Sequence, residues 1–133
     1  MAWQFDVTTR NAVLDAREQS IGASPHLKFI TGAVPANTGS SDPGTVVADL
    51  ALPADWMAAA SGGVKALAGL WQATASASGT IGHFRIFDSG AVCRAQGTVT
   101  ITGGGGDITV NNPDCATGQV VTVTTLTWTE GNA

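Results

Sequence analysis

Tyrosine is absent from this sequence of 133 residues, and only 12% of them are charged, about half the share of an ordinary soluble domain. The exposed faces must therefore be built largely from Thr, Ser and small residues. The six cations, Arg10, Arg17, Lys28, Lys65, Arg85 and Arg94, stand singly against ten acids and leave a net charge of -4. No cluster of them can neutralise several phosphates, so direct nucleic-acid binding is not expected. No apolar run reaches the roughly 18 residues of a membrane helix. The start, MAWQFDVTTR, has none of the basic region, apolar core and cleavage site of a secretory leader. A chain made in the cytosol that stays soluble, without a membrane partner, is the expectation. Two cysteines, Cys93 and Cys115, exclude a disulfide-rich scaffold and leave the redox compartment open.

Groupings that carry chemistry are equally scarce. The run Gly103 to Gly106 is followed by Asp107 and a strand pattern, whereas a phosphate cradle needs a helix and a Lys-Ser/Thr pair there. His26 and His83 do not share a metal-ligand spacing, and nothing in the spacing brings them to Cys93 and Cys115. Asp107, Asn111, Asn112 and Asp114 read as turn residues rather than calcium ligands. There is no GxSxG elbow, and Asp15 with Glu18 would lie on an exposed helix surface. No enzyme activity, cofactor or metal is expected.

What remains is a mostly β pattern of one domain's length. Residues 1–8 read as an arm in which Trp3 and Phe5 alternate with Gln4 and Asp6, the rings either folded back on the body or docking a neighbour. Residues 9–133 read as a single β-rich domain. Helical spacing over 9–21, with Thr8 or Thr9 as cap and Gly22 and Pro25 beyond, predicts one short amphipathic helix whose Arg10, Asp15, Arg17 and Glu18 form a solvated face. Strands follow at 26–31, 45–52, 64–74 and 79–87. Residues 33–44 form the longest loop or a mobile excursion, and 54–63 a loop with at most a turn of helix. Asp88-Ser89-Gly90 predicts a hairpin into 91–96.

Across the four glycines, 98–102 and 107–110 read as the arms of another hairpin. That pairing would bring Cys93 and Cys115 within one residue of register, as a disulfide or as two small buried thiols. The last strand, 119–129, changes its buried face midway, as a bulge or a strand shared between sheets requires. The pattern predicts a mainly β fold, a single-domain sandwich or barrel of jelly-roll type with one N-terminal helix.

Four segments, FDVTTRNAVLDA, HLKFITGAVPA, GTIGHFRIFDSG and TVTTLTWTEGN, together resemble a family of small virion structural proteins encoded by tailed bacteriophages and prophages. In that family RNA-x-LDA, TG-x-xP, W/H-FR-x-x-DS and T-x-TS/TLT-x-TEGN occur in the same order. The sequence departs from the pattern mainly at Cys93 and Cys115. The resemblance implies a compact β-fold on the capsid exterior, a head decoration or cement protein made in the bacterial cytoplasm. Its partners would be the major capsid protein and copies of itself, as a dimer or trimer. Trp3, Phe5, Pro35, Asn37 and Asp42 are the expected contact residues. The alternatives are a tail or head-to-tail component, and a receptor- or carbohydrate-binding domain that stacks its ligand on Trp56 and Trp71.

Overall fold

Asp6 starts the helix. In the computed structural model, which describes residues 3–131, its Oδ1 accepts the Thr9 amide at 2.9 Å, satisfying one of the donors a helix start leaves open. The helix α1 therefore spans Val7–Ile21, beginning earlier than Thr8 or Thr9 as cap would allow. It ends where expected, at Gly22 (φ +92), whose amide donates to the Glu18 carbonyl.

The strands are β1 (His26–Thr31), β2 (Val46–Ala51), β3 (Val64–Ala66), β4 (Gln72–Thr74), β5 (Gly79–Phe87), β6 (Cys93–Ile101), β7 (Ile108–Val110), β8 (Asp114–Cys115) and β9 (Val120–Thr129). They form one sheet in the order β2-β1-β5-β6-β7-β9-β3, with β4 also on β9 and β8 on β5. After β4 the Ser76 amide donates to the Val47 carbonyl of β2 at 2.8 Å. The two ends of the sheet are thereby drawn together, and it curls into a half-barrel. The fold is mainly β with one N-terminal helix, in the sandwich-or-barrel class the sequence predicts.

The core fills the concave side. Trp56, Trp71 and Trp128 pack there with ring centroids 5.9 and 5.8 Å from Trp56. Buried indole N–H groups need partners; Trp56 Nε1 donates to the Gly22 carbonyl at 2.9 Å and Trp71 Nε1 to the Ala68 carbonyl at 3.0 Å. On β5, Phe84 and Ile86 join this core. His83 and Arg85, on the opposite face, are buried as well; His83 Nδ1 lies 2.9 Å from the Gly32 carbonyl, and Arg85 is held under the 33–44 segment by Thr38 and Asp42.

Two strand readings change, while residues 54–63 are the expected loop, without a helical turn. Residues 64–74 form two short strands along the same flank of β9, interrupted near Gly69 (φ +74), with registers one residue apart. Most consequentially, β7 runs parallel to β6, with Val99 opposite Ile108 and Ile101 opposite Val110. The glycine run therefore turns no hairpin. It doubles back over Thr100, so that the chain re-enters the sheet level with Val99. A side chain at Gly104 would come within 2.7 Å of Thr100 Oγ1, and one at Gly106 within 2.9 Å of the Thr100 amide nitrogen. Parallel neighbours ordinarily need a long crossover; bare backbone lying flat on the strand replaces it here.

The face change in β9 is present. Val121 and Val123 are buried, then Leu126, and the register against β7 shifts between Thr109 and Val110 so that Thr124 is the extra residue. That bulge reverses which side of the strand faces the core.

Candidate functional site

The charged residues of α1 hold it to the body. Lys65 is almost wholly buried on β3, and its Nζ lies 2.6 Å from Asp15 Oδ1 and 2.9 Å from Glu18 Oε1 while donating to the Ala58 carbonyl at 2.9 Å. Burial pushes the ammonium pKa down, but hydrogen bonds to Asp15 and Glu18 outweigh it and the net direction is up. The hydrogen bond from Lys65 and that from the Ala60 amide lower Asp15. Glu18 also accepts the Met57 amide at 3.1 Å, and Asn11 accepts the Gly63 amide at 2.9 Å. The face expected to be solvated is thus the docking face, and it satisfies backbone donors of a segment with no ladder of its own. Asn11, Asp15 and Glu18 share one helical stripe, the sequence signal that marks such a clamp.

Residues 33–44 are fastened rather than free. Arg85, buried on β5, donates to Asp42 Oδ1 at 2.7 Å and to the Thr38 carbonyl at 2.8 Å; Lys28 Nζ reaches Asp42 Oδ2 at 3.3 Å. Burial raises the Asp42 pKa, but hydrogen bonds from Arg85 and Lys28 prevail and hold it below the usual carboxylate range. Gln96 Nε2 donates to the Pro35 carbonyl at 2.9 Å, and Asn37 Oδ1 accepts the Gly39 amide at 2.9 Å. Of the contact residues expected in this loop, Asp42 is committed to internal ion pairs, while Asn37 is exposed and Pro35 half-buried.

Cys93 and Cys115 are both unbridged. Cys93 lies opposite Phe87 and Cys115 opposite Gly79, at the two ends of β5. The expected pairing fails because it rested on a hairpin that is a parallel pair. Burial, with the nearby Asp114 charge, raises the Cys115 pKa. The oxygens weighed as calcium ligands serve the fold. Asp107 accepts the Thr98 amide, Asn111 the Thr122 amide, Asn112 the Asp114 amide, and Asp114 the Thr80 hydroxyl.

Two features reach the surface. Trp3 and Phe5, on the segment before α1, are stacked with centroids 6.1 Å apart and are 80% and 47% exposed; neither ring belongs to the core. Trp56 and Trp71 are buried, so neither offers a stacking face to a sugar. The second feature is a cleft of about 410 Å³ between β6 and β9, lined by Phe84, Ile86, Gln96, Asp107 and Leu126 among others. It continues past Ala95 and Trp128 into a groove of about 550 Å³ against Val13, Ala16 and Arg17 of α1.

No family model, curated protein or solved structure matches this chain.

Proposed function

We propose that this chain is a non-enzymatic structural component of a tailed-phage virion, a decoration or cement subunit made in the bacterial cytoplasm and bound to the head exterior. Its partners on this reading are the major capsid protein lattice and copies of itself. The observation that carries it is the stacked, surface-exposed aromatic pair Trp3 and Phe5 ahead of α1. Exposed aromatic side chains are the kind of anchor that dominates protein contacts. The ordered resemblance of four sequence segments to small phage virion proteins supplies the class of partner. The rest of the molecule suits the role, since a clamped helix and a fastened loop leave a rigid body that can repeat over a lattice. Many weak contacts made together then hold each subunit. Net negative charge, -4, also favours the outside of a shell that encloses DNA.

The test is reconstitution. Heads assembled without this protein, mixed with the purified chain, are expected to carry it on sedimentation and to resist heat better than bare heads. Replacing Trp3 and Phe5 by Ala is expected to abolish both effects. Binding to tails or connectors with bare heads left unoccupied would move the protein to the alternative location, a tail or head-to-tail component.

A further inference from the structure

His83 and Arg85 are 0% and 1% exposed, and each keeps one polar atom without a hydrogen-bond partner, His83 Nε2 and Arg85 Nε. A third buried atom of this kind, Gln96 Oε1, belongs to the residue directly opposite Arg85 on β6. His83 and Arg85 alternate onto one face of β5, so the three side chains lie together beneath the segment that follows Gly32. Among the described residues the one other such atom, Arg10 Nε, is on α1. Buried polar atoms are rarely left unpaired, because each has given up its hydration without replacement. Three side by side call for a common partner.

The bonds already made fix what each atom can give or accept. His83 Nδ1 lies 2.9 Å from the Gly32 carbonyl and carries the proton there, which leaves Nε2 of the neutral ring as an acceptor. Gln96 Nε2 donates to the Pro35 carbonyl at 2.9 Å, so its Oε1 is a second acceptor. Arg85 directs Nη1 to Asp42 and Nη2 to the Thr38 carbonyl, and its Nε–H is a donor. No neighbour across the sheet matches this set. Opposite His83, Ile30 has no polar side-chain atom, and the Thr98 hydroxyl donates to Asp107 and accepts its amide. Opposite Arg85 on β1, Lys28 Nζ is turned to Asp42.

We infer that one water molecule is bound among these three atoms as a fixed part of the fold, donating to His83 Nε2 and Gln96 Oε1 and accepting from Arg85 Nε–H. Water is a small molecule that offers two donors together with an acceptor, and buried waters make about three hydrogen bonds. An anion would set its lone pairs against those of His83 Nε2 and Gln96 Oε1, and a metal ion would meet the Arg85 guanidinium. Opposed positions on paired strands lie about 5 Å apart and i, i+2 positions about 6.6 Å, so side chains of this length reach a common point. The consequence is mechanical. One end of each side chain holds Gly32, Pro35 or Thr38, and the water ties the other ends together, so the 33–44 segment is fastened through a buried bridge as well as through Asp42.

The test is a crystal structure of the full chain at a resolution that places waters, joined to NMR of the His83 ring nitrogens at mildly alkaline pH. A single solvent peak within about 3.2 Å of all three atoms, and a ring protonated at Nδ1 alone, are the expected results. Gln96→Met, which fills a similar volume without an acceptor, is expected to speed amide exchange across 33–44 roughly 10-fold, as the loss of one or two net hydrogen bonds would. His83→Phe is the second variant, with the same expectation, and circular dichroism checks that each folds. An ion at the site, the three atoms bonded to one another with no solvent among them, a ring protonated at Nε2, or unchanged exchange in both folded variants would each overturn the inference.

Discussion

Cys93 on β6 and Cys115 on β8 lie beside opposite ends of one strand, β5, the first paired with Phe87 and the second with Gly79. The two positions are eight residues apart on that strand, about 26 Å at the rise of an extended chain, where a disulfide tolerates less than about 7 Å between Cα atoms. Ellman titration of protein kept from external thiols is expected to find two reactive thiols in denaturant. In the native state Cys93 should react first, because Cys115 is buried and its pKa is raised. A single chain that yields no thiol until reduced would refute this arrangement.

The glycine run makes a steric prediction. A methyl at Gly104 or Gly106 meets Thr100 at under 3 Å, so Gly104→Ala and Gly106→Ala should each cost about 1–3 kcal/mol by overpacking. Gly131, with open space around its would-be Cβ, serves as the control and should change stability by less than about 0.5 kcal/mol. Denaturant midpoints at constant slope decide it. Equal, small effects at all three sites would mean that the run does not lie on β6.

Lys65 gives the next. Replacing it with Ala leaves Asp15 and Glu18 without their cation and empties a packed site. The expected loss is about 3 kcal/mol, the low end for breaking a buried pair because Asp15 keeps some contact with water. Lys65→Met, which fills the same space, should recover part of it. A loss under about 1 kcal/mol for Lys65→Ala would show that the helix clamp contributes little.

The pH dependence follows from the same groups. The Asp42 pKa is lower in the folded protein, so its contribution is complete above the ordinary carboxylate range and disappears as pH falls through the folded value. The Lys65 pKa is higher, so its contribution is complete below the ordinary lysine range and is lost as pH rises through the folded value. Stability should stay level near neutrality and fall on both sides. Asp42→Asn should lower the plateau and flatten the acid limb, and an unchanged acid limb would argue against the Arg85–Asp42–Lys28 network.

What was legible in the sequence follows a physical division. β1 and β5 could be read because apolar residues alternate between turn residues. The reversal in β9 could be read because Val121, Val123 and Leu126 break the parity of a single face. The direction of β7 could not, since glycines permit a hairpin and a doubled-back connection equally and only contacts with Thr100 choose between them. The docking face of α1 was missed for a related reason. Asn11, Asp15 and Glu18 look like a wet surface until the unladdered amides of Met57, Ala60 and Gly63 are brought beneath them. The cleft between β6 and β9 depends on strand order, which local pattern does not encode. Trp56 and Trp71 sit in irregular or interrupted stretches, so nothing local marked them as core.

The proposed role as a decoration subunit meets its most direct test in the copy number and position of this chain in purified virions, by quantitative mass spectrometry and cryo-electron microscopy. Hundreds of copies on the outer face of the head, with Trp3 and Phe5 at a protein contact, are the expected result. About a dozen copies at a single vertex or along the tail, or none in the particle, would contradict it.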